Sequence, residues 1–223
     1  MRILALETST EHCSVALWQD GALLERSEWA GQRHSELLMD MLDGVLREAD
    51  IKLAQLDGIA FGAGPGSFTG VRIACGVAQG LALGADLPVV AVCTLQALAR
   101  AAARDKVIAA LDARMGEIYH AAYVRNGEDW ETIYAPSLCP AQHAPTVLGD
   151  GWFGAGSAFA LHGAALDVGY AGQLAGVNAQ AVPQASAVAT LSVRVFAAGG
   201  GVDAAQAAPL YLRDKVALKT HER

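Results

Sequence analysis

The sequence of 223 residues has only four cysteines, Cys13, Cys75, Cys93 and Cys139, and none of them forms a C-x-x-C pair. This spacing argues against a disulfide framework and against a zinc ribbon. We therefore expect the cysteines to be small buried hydrophobic residues in a reducing compartment. The six histidines are also isolated, with no two of them four residues apart on a predicted helix, so the sequence predicts no histidine-based metal site.

Charge is scarce, since charged residues make up 17 % of the chain and the net charge is −7. A protein that neutralises nucleic-acid phosphates by itself usually has a basic balance, so any nucleic acid is expected to contact mainly another subunit. No apolar run approaches the roughly 20 residues that span a bilayer. Glu7 interrupts the N-terminal segment before a signal-peptide core could form. These features predict a cytoplasmic protein without membrane association, and the 53 % hydrophobic content excludes disorder over most of its length.

Strands and helices alternate along the chain. Apolar segments predict strands at 3–6, 13–18, 22–29, 58–61 and 88–93. Helices are predicted at 35–49, from the glycine-rich segment 62–70 to about residue 84, and at 94–104. The dipeptide Asp20-Gly21 is typical of a tight β-hairpin. This alternation predicts an α/β lobe with a mixed sheet.

The pattern then begins again, because residues 108–112 repeat the apolar strand and terminal acid of residues 3–7. Further strands are predicted at 118–124 and 130–134, and a helix at 186–198. We therefore predict a duplicated fold with one lobe at 1–104 and another at 105–223, and with the last helix or the tail packing back on the first lobe. Residues 140–185 predict only a strand near 152–154.

A glycine-rich segment, residues 62–70, follows a predicted strand and leads into a helix. Such a segment can present backbone N–H groups to an anion, but it lacks the lysine of a P-loop. Two interpretations stay open, namely a tight strand-to-helix connection and a ligand contact.

Two acids, Glu7 and Asp112, occupy matching positions at the mouths of the two predicted hairpins. Together with the Ser9 hydroxyl, they are candidates for holding Mg²⁺ or a nucleotide. The alternative is that these acids cap turns.

Two helices offer a candidate interface with a partner protein. On the first helix, Met39, Leu42 and Leu46 widen the apolar face beyond one core-facing stripe. The second helix carries Gly76, Gly80 and Gly84 at four-residue intervals. Each glycine costs roughly 0.5–1 kcal/mol relative to alanine in a helix. The stripe is therefore expected to make a close contact, and two interpretations stay open: packing on its own sheet or on the first helix, and packing in a subunit interface.

Five segments together resemble the TsaB (YeaZ) family, and the second of them is the most specific. They are ILALETST from Ile3, GAGPGSFTGVRI from Gly62, HSELL from His34, LDARMGEIY from Leu111 and PLYLR from Pro209. The resemblance implies an actin-like (ASKHA, ribonuclease H-like) duplicated α/β fold with mixed sheets. In the catalytic relative, TsaD, a His-x-x-x-His pair binds the active-site metal. Thr94 and Leu98 stand at those positions here, so the resemblance implies no metal and no catalytic role for this chain.

The implied function is that of a partner. TsaD forms the threonylcarbamoyl group on N6 of the adenosine next to the anticodon, in tRNAs that read codons beginning with adenine. A TsaB-type chain pairs with TsaD through its N-terminal lobe, TsaE joins the complex, and tRNA is reached only through the complex. No cofactor is expected on this chain, whereas ATP or ADP and a metal are expected in TsaD. Without TsaD, the same surface is expected to form a homodimer.

Two rival functions remain at this point. One is an actin-like small-molecule kinase or ATPase that uses Glu7 and Asp112, and the other is a self-contained metallohydrolase.

Overall fold

The computed structural model describes residues 1–213, which fold into two five-stranded sheets with six helices. Residues 214–223 of the predicted second lobe lie outside the described residues. The first sheet contains β1 (Arg2–Glu7), β2 (His12–Gln19), β3 (Ala22–Trp29), β4 (Gly58–Gly64) and β5 (Val89–Cys93). The second contains β6 (Lys106–Asp112), β7 (Glu117–Asn126), β8 (Asp129–Pro140), β9 (Trp152–Ala155) and β10 (Leu174–Asn178).

The two sheets have the same topology. The strand orders are β3-β2-β1-β4-β5 and, in the matching direction, β8-β7-β6-β9-β10. In each sheet the first three strands form an antiparallel meander and the last two pair in parallel. The hairpins that begin at β1 and β6 therefore occupy equivalent positions, and the predicted duplicated fold with mixed sheets is confirmed.

The helices cover both faces of each sheet. They are α1 (His34–Glu48), α2 (Phe68–Ala85), α3 (Thr94–Ala101), α4 (Ala158–Leu161), α5 (Gly163–Gly169) and α6 (Ala185–Ala197). The core of the first sheet is closed by α1 and α2 on one face and by α6 on the other. The second sheet packs against α3 on one face and against α4 and α5 on the other. Consequently α3 and α6 lie between the two sheets.

The strand β1 is apolar from Ile3 to Leu6 because both of its faces are covered. Leu4 and Leu6 belong to the cluster with α1 and α2, whereas Ile3 and Ala5 belong to the cluster with α6. Successive side chains of a strand point to opposite faces, so a strand with both faces covered cannot alternate with polar residues. Sheet and helices thus bury the strand that ends at Glu7.

The lobe boundary after residue 104 falls between α3 and β6. Because α6 comes from the second half of the chain but packs on the first sheet, each half contributes to the first lobe. The exact limits 1–104 and 105–223 stay a prediction.

The sequence missed the elements between residues 140 and 185 except β9. The helices there have only four and seven residues, which is too short for a 3.6-residue period to be visible. The strand β10 carries Gly176 and is mostly exposed, so it lacks the apolar pattern of a buried strand.

One buried histidine makes the second lobe sensitive to acid. His120 is fully buried, its Nε2 lies 2.8 Å from the hydroxyl of Tyr170, and burial lowers its pKa to about 4. The unfolded chain binds a proton near pH 6.5, whereas the folded chain does not. Folding stability due to His120 is therefore complete above that pH and falls as the pH approaches 4.

We expect the free energy of unfolding of a His120→Gln variant to depend less on pH between about 6.5 and 4 than that of the wild type, by a few kcal/mol at most. Denaturant unfolding of both proteins across this range measures the difference. Equal slopes would show that folding does not lower the pKa of His120.

Candidate functional site

A cleft of about 900 Å³ separates the two lobes. Its first-lobe wall contains the turn after β1, the start of α1 and the loop that precedes α2. Its second-lobe wall contains the turn between β6 and β7 and the start of α4. Residues 210–213, which follow the last helical turn, complete the lining. The matching hairpins of the duplication thus face each other across the cleft.

The glycine-rich segment packs tightly on the turn after β1. A Cβ atom on Gly66 would overlap Ser9, and one on Gly70 would overlap the carbonyl oxygen of Thr8. Two hydrogen bonds tie the same segments: the Thr8 hydroxyl donates to the Gly70 carbonyl (2.7 Å), and the Ser67 N–H donates to the Ser9 carbonyl (2.7 Å). Of the two open interpretations, the geometry fits the tight strand-to-helix connection.

The candidate acid Glu7 does not line the cleft. Its side chain is 1 % exposed, one carboxylate oxygen accepts a hydrogen bond from the Ser9 N–H (2.6 Å), and Gly62 leaves room for the other. Within residues 1–213 that second oxygen, Oε2, has no hydrogen-bond partner. Burial raises the pKa of the Glu7 carboxyl. The carboxylate of Glu7 supports the turn after β1, and the metal or nucleotide role expected for this residue stays a prediction.

The candidate Asp112 does line the cleft, but its carboxylate is already engaged. The oxygen Oδ1 accepts a hydrogen bond from the Arg114 N–H (3.2 Å) and lies 3.1 Å from His162 Nε2. The backbone N–H of Asp112 donates to the Ser157 hydroxyl (3.1 Å). These contacts hold the β6–β7 turn to the start of α4, so Asp112 acts as a turn-stabilising residue here.

Ser9 also lines the cleft and is 2 % exposed, and its hydroxyl has no hydrogen-bond partner within residues 1–213. The three candidate residues are thus not brought together around one ligand: Glu7 lies beneath the turn, Ser9 on one wall and Asp112 on the other.

The positions that carry the metal-binding histidines in the TsaD pattern are used for packing. The Thr94 hydroxyl is buried and accepts a hydrogen bond from the Gly64 N–H (3.1 Å). Leu98 is fully buried in the core beside the second sheet. These residues do not fit a metal ion, because leucine has no donor atom and the threonine oxygen already orients the glycine-rich segment.

The helix α2 has two small-residue faces with opposite environments. Ala74, Ala78 and Ala82 are fully buried against the first sheet. The other face exposes its glycines, and a Cβ added to any of these would meet nothing within 4 Å: Gly76, Gly80 and Gly84. The alternative in which the glycine stripe packs on its own sheet or on α1 is therefore wrong. By length and composition alone α2 could cross a membrane, a test that core helices of soluble proteins also pass.

The helix α1 exposes fewer apolar side chains than its sequence predicts. Met39 is 47 % exposed, but Leu42 is 5 % exposed and belongs to the core, and Leu46 is half-buried against that core. Assigning Leu42 to an interface is wrong, because the first sheet and α2 together cover a wider part of α1 than one stripe. The predicted surface is reduced to Met39, the edge of Leu46 and the glycine stripe of α2.

Comparisons with known proteins agree with this fold. The model of the family "TsaD: tRNA N6-adenosine threonylcarbamoyltransferase" matches residues 27–220. The chain is 38 % identical to the tRNA threonylcarbamoyladenosine biosynthesis protein TsaB of Escherichia coli K12, over 98 % of this chain and 97 % of that protein. It is 37 % identical to the TsaB protein of Haemophilus influenzae, over 98 % and 96 %. The chain belongs to the TsaB family.

A solved structure supports the same assignment. YeaZ from Pseudomonas aeruginosa superposes with a TM-score of 0.83 at 38 % identity, over 95 % of this chain and 99 % of that one. The resemblance to the TsaB family and the actin-like fold that it implied are both confirmed.

In this TsaB-family chain, sequence reasoning missed one exposed group of residues. The guanidinium of Arg72 lies over the ring of Phe68, 3.2 Å from its centroid, and Tyr211 lies beside both. The four-residue spacing of Phe68 and Arg72 on α2 was the available signal, but nothing in the sequence places Tyr211 next to them.

Two glycine substitutions on α2 should have opposite effects on stability. We expect Gly70→Ala to lower the free energy of unfolding by about 1–3 kcal/mol, because its methyl group overlaps the backbone of Thr8. Gly76→Ala should raise it by roughly 0.5–1 kcal/mol, because the new methyl group meets only solvent. Denaturant unfolding measures both, and a destabilised Gly76→Ala protein would show that this face is covered within the chain.

Proposed function

We propose that this chain is the non-catalytic partner subunit of TsaD. In this role it supports formation of the threonylcarbamoyl group on N6 of the adenosine next to the anticodon, in tRNAs that read codons beginning with adenine. The names of its TsaB relatives support the pathway. The open glycine stripe on α2 is the observation that carries the partner role.

The glycine stripe lowers the stability of α2, which is the first support for a partner. Three glycines inside one helix destabilise it by roughly 0.5–1 kcal/mol each relative to alanine. A Cβ atom added at Gly76, Gly80 or Gly84 would meet nothing within 4 Å in the described chain, so no close packing there requires glycine or offsets this cost. A helix of another subunit can offset it, because glycine lets two helix backbones approach closely.

The apolar character around the stripe is the second argument. Leu83 on α2 is 78 % exposed, and Met39 on α1 adds a further exposed apolar side chain. A docked partner would remove both side chains from water, and exposed apolar patches on a folded protein mark binding sites. In the absence of TsaD the same surface would pair with itself in a homodimer related by a two-fold axis.

The non-catalytic assignment depends on how the chain uses its polar residues. Thr94 and Leu98 serve packing, Glu7 is enclosed beneath a turn, and Asp112 is engaged with His162 and Arg114. The kinase or ATPase alternative needs two acids in the cleft, and only one of the pair lines it. We therefore assign no cofactor to this chain, and we assign ATP or ADP and the metal to TsaD.

The wider assembly follows from the same proposal. TsaE would join the complex of this chain with TsaD, and tRNA would bind to the complex instead of to this chain alone. The net charge of −7 fits a subunit that leaves most phosphate contacts to its partners. Such an assembly would work in the cytoplasm, where tRNA is modified.

The experiment places bulk and charge on the stripe. We expect Gly80→Arg to fold normally, since the position is exposed and open, but to lose binding to the cognate TsaD protein by more than tenfold and to abolish tRNA modification. Gly169→Arg is the matched control, because Gly169 is an exposed glycine with open space at the end of α5 in the second lobe. Calorimetric titration and a reconstituted modification assay provide the two readouts.

Three outcomes are informative. Loss of binding by the Gly80 variant alone supports the proposal. Normal assembly and modification by the Gly80 variant would contradict the docking surface. Loss in both variants would mean that added charge, and not the position, disrupts assembly, and the stripe would then lose its assigned role.

A further inference from the structure

An exposed cluster of two aromatic rings and an arginine lies where α2 meets the mouth of the cleft. The rings of Phe68 and Tyr211 are 46 % and 47 % exposed, and their centroids are 6.1 Å apart. The guanidinium carbon of Arg72 lies 3.2 Å from the Phe68 centroid and 5.0 Å from the Tyr211 centroid. Two aromatic rings that stay half-exposed do not contribute the free energy that their full burial would give. A group of such residues on the surface indicates a binding site.

Tyr211 is held in place from both sides. Immediately before it, the Leu210 N–H donates to the Ala63 carbonyl at the end of β4 (2.7 Å). Two residues after it, Arg213 donates to the Ala113 carbonyl (2.8 Å) and forms an ion pair with Glu117 (2.8 Å). The segment therefore crosses from the first lobe to the second, and the chain is anchored on both sides of Tyr211 without a partner. A preorganised segment loses little entropy on binding.

The guanidinium of Arg72 pairs with no carboxylate within residues 1–213. Other exposed arginines of the chain do, as shown by Arg26 with Glu48 and by Arg114 with Glu11. Stacking on an aromatic ring holds a guanidinium flat while its edges stay able to donate. An arginine in this state is suited to a bidentate pair with a carboxylate.

The cluster is continuous with the docking surface proposed above. Phe68, Arg72 and the glycine stripe follow one another along α2 at intervals of four residues, so each lies next to the one before it on the helix surface. Arg72 shares a face with its nearest members of the stripe, Gly76 and Gly80. A subunit that packs along Gly76 and Gly80 would also contact Arg72, which lies one helical turn nearer the N-terminus of α2. Aromatic residues and arginine are the residue types that contribute most to binding energy at protein interfaces.

We infer that Phe68, Arg72 and Tyr211 form one end of the partner interface, and that Arg72 binds an aspartate or glutamate side chain of the docked subunit. This inference rests on the proposed function. It adds the chemistry of the partner, which must present small or apolar residues along the glycine stripe and a carboxylate opposite Arg72.

The test compares arginine variants in the full chain, titrated with the cognate TsaD protein at low and at high salt. Arg72→Ala should weaken binding roughly tenfold and should also make the affinity less dependent on salt, because the ion pair is lost. Arg72→Lys keeps the charge but cannot form the planar bidentate pair. Its affinity for TsaD should therefore lie between that of the wild type and that of Arg72→Ala. The control is Arg104→Ala, since Arg104 is an exposed arginine placed over one ring, that of Phe153 (5.1 Å), away from α2.

The Gly80→Arg variant separates the two proposals. If Gly80→Arg prevents assembly while Arg72→Ala binds like the wild type, the inference is overturned and the proposed function stands. If both variants bind normally, the docking surface fails together with the inference. An Arg72→Ala protein that binds TsaD normally, but whose complex has lost affinity for tRNA, would show that the cluster contacts RNA and would overturn the inference as well.

Discussion

The close contact between the β1–β2 turn and the start of α2 determines the arrangement of the first lobe. Gly62, Gly66 and Gly70 bring their backbones against Glu7, Ser9 and Thr8, where any side chain would overlap. The buried Glu7 carboxylate accepts the Ser9 N–H from beneath, and Thr8 hydrogen-bonds to Gly70. Because these contacts fix both the position and the direction in which α2 leaves the sheet, they also fix which face of α2 is left outside.

The outward face of α2 differs from the buried face in what its small residues contact. The alanines of α2 fill the space above the sheet, whereas Gly76, Gly80 and Gly84 face open space. The two sets of glycines have the same four-residue spacing but opposite roles. The first set makes a close contact within the chain, and the second faces open space, where the proposed partner would pack. At the cleft end of the same face, the segment carrying Tyr211 links both lobes to the surface that a partner would cover.

Local signals predicted most of the fold, and long-range contacts explain what they missed. The hairpin at Asp20-Gly21 forms as expected, with positive φ at both residues, and the repeated strand-and-acid pattern identified the duplication. Pattern alone could not show that Leu42 is covered or that Glu7 points beneath its turn, since both depend on elements distant in sequence. Tyr211 meets Arg72 only through the folded chain, 139 positions apart in numbering (211 − 72). The helices between residues 140 and 185 were too short to show a period.

Site-specific photo-crosslinking would test the central claim most directly, because it reports what covers α2 without disturbing the glycines. A benzophenone amino acid replaces Leu83, which is 78 % exposed beside the glycine stripe, or Val168, which is 80 % exposed in the second lobe. With the cognate TsaD protein present, the account predicts a strong crosslink from position 83 and none from position 168. Crosslinking from position 168 alone would contradict it.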